Sequence, residues 1–190
     1  MSRKVILQID VTLDGFIAAA DGDTSWVKTT DEMNQEAYEL LMTADMILLG
    51  RVAYQDFSTF WPFADVDAPT TFSKITRQIN EVTKLVFSKT LKQVEWGRWN
   101  NARLINDHIP EAITKLKAEP GKNLLLYAGA DIISTFMRSD LIDEYHLRVH
   151  PVIVGGGKSL FPHIEKQMIL KLVRTKSYTN GAVLLEYQRP

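Results

Sequence analysis

The sequence predicts a mixed α/β fold, a mostly parallel sheet with helices on both faces and an antiparallel C-terminal edge. Three observations predict it. Short β-rich apolar runs alternate with amphipathic stretches of about 10 to 15 residues, the pattern of βαβ units. The runs are nearly continuous in apolar residues, as strands buried on both faces require. The last two runs have no helix between them, so they pair antiparallel.

"KVILQIDV" opens the chain as a buried strand. "TTDEMNQEAYELLMTA" follows with Thr and Asp capping candidates and Met33, Ala37, Leu40, Leu41 and Ala44 at helical spacing. "DMILLG" is a strand that ends on glycine, and "RVAYQDFSTF" the helix after it. "TTFSKITRQIN" is a helix, "TKLVFS" a strand, "DHIPEAITKLKAE" a helix and "KNLLLYAG" a strand. "ADIISTFMRSDL" is a helix, and "IDEYHLRVHPVIVGGG" reads as one long strand. "MILKLVRTKSY" and "GAVLLEYQR" form a terminal pair around Asn180-Gly181, a hairpin signal. No repeat or long linker interrupts residues 1–190, which read as one domain.

Composition removes several function classes. The 190 residues are 45% hydrophobic and 24% charged, with a net charge of −1, so nothing draws the chain to nucleic acid or anionic lipid. The four tryptophans are too scattered for a nucleic-acid platform. No run approaches the roughly 18 apolar residues of a membrane span. Gln8 and Asp10 interrupt what a signal peptide would keep apolar. The absence of cysteine excludes disulfides and thiolate chemistry and fits a cytoplasmic protein.

"PVIVGGGKSLFP" has the look of a phosphate loop, but Val152 stands where the Walker pattern needs its first glycine. Pro162 also comes too soon for the helix such a loop opens. His146 and His150 share one strand face, yet a metal needs a third ligand and none is evident. No metal is expected. Glycines do end three strands at helix or loop junctions, in "ILLG-R", "LLLYAG-AD" and "VIVGGG-KS". Open α/β sheets bind ligands at such carboxyl ends.

"VTLDGFIA", "MILLGRVAY", "KLVFSKTL", "LLLYAGADIISTFMRSDLIDE" and "HPVIVGGGKSLF", in this order, resemble the dihydrofolate reductase-like fold. Specifically, they resemble the C-terminal reductase domain of bifunctional riboflavin-biosynthesis proteins and its stand-alone relatives. The resemblance implies an NADPH-dependent reductase that moves hydride to a small polar substrate. The type reaction reduces 5-amino-6-(5-phosphoribosylamino)uracil. It also implies a homodimer. The rival reading is a dimeric ligand-binding protein that keeps the fold without turnover.

The resemblance assigns sites residue by residue. Val11 and Ile17 lie against the nicotinamide. Gly50, Arg51 and Val52 meet the pyrophosphate and 2′-phosphate, for which a guanidinium offers bidentate contacts. Ser88 and Lys89 add to the 2′-phosphate contacts. Ala128, Gly129, Ala130, Asp131 and Ile132 form the second cofactor loop, with Asp131 pointing away from the diphosphate and a cis Ala128–Gly129 bond. Trp26, Gly156, Gly157 and Lys158 border the substrate.

Two positions depart from the family. Ala53 stands where dihydrofolate reductases have a phosphate-binding threonine, and Asn34 falls where they carry the helical carboxylate. Glu32, Glu36 and Asp10 are the remaining candidates for proton supply. Asp10 is distinguished by its place within a buried strand, where a carboxylate needs partners.

Overall fold

A computed structural model describes residues 3–162, 164 and 166–190. In chain order these begin with β1 (Val5–Thr12), β2 (Phe16–Ala19), α1 (Asp31–Met42), β3 (Ala44–Gly50) and α2 (Arg51–Phe60). After a 3-10 turn at Trp61–Phe63 come α3 (Thr71–Glu81), β4 (Thr83–Phe87), β5 (Ala102–Ile105), α4 (Ile109–Ala118) and β6 (Asn123–Tyr127). The chain ends with α5 (Ala130–Arg138), β7 (Glu144–His150), β8 (Gly157–Ser159), β9 (Lys171–Ser177) and β10 (Val183–Gln188). These fall into two compact units, residues 3–4 with Asp31–Ala128, and Val5–Thr30 with the described residues of Gly129–Pro190.

The first unit is wholly parallel, in the order β5-β4-β3-β6. Ile47, Leu48, Leu49 and Leu124 to Leu126 are fully buried, which explains their unbroken apolar runs. Helix α3 starts at Thr70, whose hydroxyl accepts from the Ser73 amide at 3.1 Å. The strand "ARLI" leaves no sign in the sequence pattern; its four residues are too few and too exposed to show a period.

A buried lysine sits in this unit. Lys84 Nζ donates to the Asn80 carbonyl at 2.7 Å and Asn101 Oδ1 at 2.9 Å, and lies 4.4 Å from the Trp96 ring centre. Trp96 Nε1 in turn donates to Asn80 Oδ1 at 2.7 Å. Burial without a carboxylate pushes the lysine down from 10.5 to about 7.

In the second unit β7 pairs parallel with β1 and antiparallel with β10, and β9 completes the antiparallel edge. The Asn180-Gly181 turn forms as the sequence predicts, with Gly181 at φ +83°. β2 and β8 make a separate small antiparallel pair. The long strand expected from Ile142 to Gly157 is instead broken. β7 ends at His150 because Pro151 has no amide to donate, and the chain resumes as β8 only at Gly157. No described peptide bond is cis, so the Ala128–Gly129 bond is trans, contrary to the expectation. Gly129 lies at φ −76°, ψ 170°, an extended conformation that leads into α5 without the cost of about 2.5–4 kcal/mol that a cis bond carries.

Lys84 gives a pH test of this core. Its folded value lies below its unfolded one, so the unfolded chain binds more protons between about pH 7 and 10.5. Stability should rise with pH across that window. Urea denaturation should show a gain on the order of 2–3 kcal/mol between pH 7 and 9.5, and Lys84→Met should remove most of that slope. An equal slope in both proteins would show that the lysine is not desolvated.

Candidate functional site

The cofactor candidates of the first unit lie at strand ends. Gly50 caps α2 in an extended conformation, φ −73° and ψ 164°, with no side chain on the helix amides. The first-turn N–H groups are therefore open to an anion. Arg51 is exposed, and its Nη1 donates to Gln55 Oε1 at 3.0 Å. Val52 is also exposed. Ser88 is buried, and its hydroxyl accepts from the amides of Thr90 at 3.2 Å and Leu91 at 3.1 Å. That hydroxyl shapes its own turn, while Lys89 is exposed. Ala128 is buried, Glu32 is exposed and Glu36 half-buried.

The second unit holds the other candidates. Gly129 caps α5 without a side-chain partner, and a Cβ there would meet nothing within 4 Å. Asp131 at the helix start is exposed, and Ile132 is half-buried. Val11 is buried and Ile17 half-buried.

The glycine run of "PVIVGGGK" has a structural cause at two of its positions. Gly155 adopts φ +72°, and its amide donates to Asp14 Oδ2 at 2.8 Å. Gly157 pairs with Ala19 at φ +151°, where a Cβ would stand 2.2 Å from the Ala18 carbonyl oxygen. Asp14 also accepts from the Thr12 hydroxyl at 2.6 Å. That hydrogen bond, with those from the Gly155 and Val154 amides, holds the carboxyl below its usual range against its slight desolvation. One carboxylate thus ties the "LDG" turn to the glycine loop. Gly156 is half-buried with nothing near its Cβ position, and Lys158 is exposed on β8.

Asp10 finds partners on the neighbouring strand. Register places Asp10 opposite Arg148 and Thr12 opposite His150. Asp10 Oδ2 accepts from Arg148 Nη2 at 2.6 Å, and Oδ1 lies 2.7 Å from His150 Nε2. Burial alone raises the Asp10 pKa, but the His150 hydrogen bond and the charge and hydrogen bond of Arg148 outweigh it, so the value is lowered. Trp26 meets the His150 ring edge-on, with centroids 5.5 Å apart and planes at 71°. Trp26 Nε1 and Arg148 Nε are both buried and have no acceptor among the described residues.

Sequence reasoning singles out Asp10 and Trp26 and passes over Arg148. It weighs His150 only as a metal ligand. His146 bonds instead to Glu144, at 3.3 Å. The usable signal is the parallel pairing of two strands that each carry polar residues two apart.

Asp10→Ala would leave Arg148 and His150 buried without their carboxylate, and should cost about 3–5 kcal/mol in urea denaturation. The contribution of Asp10 is present above its ordinary value of 3.8 and is lost as pH falls through the lowered folded value. Asp10→Asn should therefore flatten the acid limb of the stability profile. A parallel acid limb in wild type and variant would contradict the ion cluster.

Comparison with known proteins agrees with this architecture. The family model described as RibD C-terminal domain matches residues 3–184. The chain is 36% identical over 185 residues to the uncharacterized protein YyaP of Bacillus subtilis, covering 97% of this chain and 94% of that one. It is 26% identical over 167 residues to riboflavin biosynthesis protein RibD of Corynebacterium ammoniagenes, covering 84% of this chain but 46% of that protein. A putative riboflavin biosynthesis protein from Shewanella sp. PV-4 superposes with a TM-score of 0.79 at 24% identity, covering 100% of this chain and 99% of that one. Dihydrofolate reductase from Enterococcus faecalis, complexed with NADP(H), superposes with a TM-score of 0.63 at 12% identity, over 100% of this chain and 99% of that one. The fold is that of dihydrofolate reductase, and the chain belongs to the family of RibD C-terminal domains.

Proposed function

We propose that the protein is an NADPH-dependent reductase that transfers hydride to a small polar substrate. The observation that carries this reading is the Gly50-Arg51 junction, where an uncapped helix start adjoins an exposed guanidinium. Its donors fit a phosphate group: first-turn amides, the positive end of the helix and a planar cation. Gly129 offers α5 amides of the same kind in the second unit. When bound, the cofactor supplies the hydride. Arg51 and the α2 amides hold its phosphates, and Lys89 adds charge for a 2′-phosphate. Val11 and Ile17 lie against its nicotinamide, and Trp26 and Lys158 border the substrate.

A solved bifunctional relative from Thermotoga maritima is called a diaminohydroxyphosphoribosylaminopyrimidine deaminase/5-amino-6-(5-phosphoribosylamino)uracil reductase. We take the latter compound, of riboflavin biosynthesis, as the first substrate to test. The second reading is a ligand-binding protein without turnover. Ala53 favours it, because alanine removes a phosphate contact that threonine would make. NADPH binding with no oxidation by any small carbonyl or imine substrate would select that reading.

Assembly as a homodimer and residence in the cytoplasm belong to the same proposal. Exposed Ile153, Ile169, Leu172 and Val173 in the second unit support the dimer. No described helix is long and apolar enough to cross a membrane. Light scattering should return twice the chain mass of 21.6 kDa, and a monomer at micromolar concentration would refute the dimer.

Fluorescence titration should give tighter binding of NADPH than NADH. Arg51→Ala should cost about 1.5–3 kcal/mol for NADPH, the range for hydrogen bonds to charged groups, and much less for NADH. Equal losses for both would remove the 2′-phosphate contact.

A further inference from the structure

By the resemblance to dihydrofolate reductases, Asn34 stands where their helix carries a carboxylate, yet reduction of a C=N or C=O group leaves an atom that needs a proton. Asp10 is poorly suited to give it. Its oxygens already accept from Arg148 at 2.6 Å and His150 at 2.7 Å, and these contacts hold the carboxyl below its usual range despite its burial. An ionised carboxylate only accepts hydrogen bonds, so the short contact assigns a proton to His150 Nε2. Nδ1 is left as the ring's other proton-carrying atom. The His150 side chain is 2% exposed and cannot swing freely, because the carboxylate holds one end and the Trp26 ring packs on it in a T-shaped contact.

The surroundings point to a ligand. Trp26 Nε1 and Arg148 Nε are buried donors without acceptors among the described residues. Leaving such a group unmet is costly, so each calls for a ligand atom that accepts a hydrogen bond. Both residues are one contact from the Asp10–His150 pair. The site also keeps some access to solvent, since the Asp10 and Arg148 side chains are 19% and 12% exposed.

We propose that His150 is the proton donor of the reduction, with Asp10 and Arg148 as positioning residues. The inference rests on the reductase reading. The electrophilic carbon of the substrate gains a hydride from a reduced nicotinamide dinucleotide, and its π electron pair moves to the attached nitrogen or oxygen. The His150 Nδ1–H bond breaks, and the new N–H or O–H bond forms. The dinucleotide, when bound, would supply that hydride and be oxidised, while the neutral imidazole keeps its Nε2 proton on Asp10 and recovers the other from water. Arg148 occupies the second Asp10 oxygen, so the carboxylate orients the ring without taking its proton.

The test has two arms. In the first, protein with 15N-labelled histidine is studied by NMR without ligands. The His150 Nε2 proton should be present and slow to exchange, and Asp10→Asn should lose that protection. A neutral ring protonated at Nδ1 instead, or protection unchanged in the variant, overturns the proposal. In the second, turnover of 5-amino-6-(5-phosphoribosylamino)uracil with NADPH is followed. His150→Ala should lower kcat by about 100-fold or more, the usual weight of general acid catalysis, with NADPH affinity unchanged. Added imidazole should restore part of the loss, which a packing defect would not allow. Where His150→Ala fails to fold, His150→Gln retains a donor for Asp10 and should fold with the same loss. Turnover near that of wild type in either variant overturns the proposal. A wild type that binds NADPH but leaves this compound unreduced overturns the substrate named above, and the NMR arm then decides the role of His150 alone.

Discussion

The second unit depends on one half-buried negative charge. Removing a carboxylate from water is expensive unless cations and hydrogen bonds replace its hydration. Asp10 obtains both from the neighbouring strand, through Arg148 and His150. Side chains alternate along a strand, so a slip of one residue between β1 and β7 would send the carboxylate and its partners to opposite faces. The charge therefore fixes the register of two parallel strands whose paired residues lie 138 and 140 positions apart in sequence.

That register organises the loops beyond both strands. After β1, Thr12 and Asp14 form the turn that receives the Phe16 and Gly155 amides. After β7, Pro151 ends the ladder and frees the chain to cross to β8. Gly155 and Gly157 supply the conformations and the clearance this route needs. The glycine run that resembles a phosphate loop is thus explained by backbone geometry. Its lysine projects from a short strand and does not open a helix.

The first unit solves a different problem. Strands β3 and β6 are buried and end where helices begin, so the open amides of α2 are a consequence of the layout. Those junctions are legible because glycine at a strand end before a helical period is a local signal. Helices α1 to α5 are legible for the same reason. The Asp10 cluster is legible only by half. A polar residue in an apolar run flags itself, but Arg148 and His150 belong to it through strand pairing, which local pattern does not encode. The break at Pro151 is hidden because Val152, Ile153 and Val154 continue the β-rich composition after the ladder has ended. Lys84 escapes notice because a lysine at a strand start reads as surface, whereas Asn80, Asn101 and Trp96 enclose it.

The central claim is that the Asp10 carboxylate and the His150 ring act as one unit across β1 and β7. A double-mutant cycle on stability, with Asp10→Asn, His150→Gln and the double variant, tests it most directly. The account predicts a coupling of about 1 kcal/mol or more, as residues sharing a buried network show. Additive losses within about 0.3 kcal/mol, the behaviour of independent sites, would contradict it.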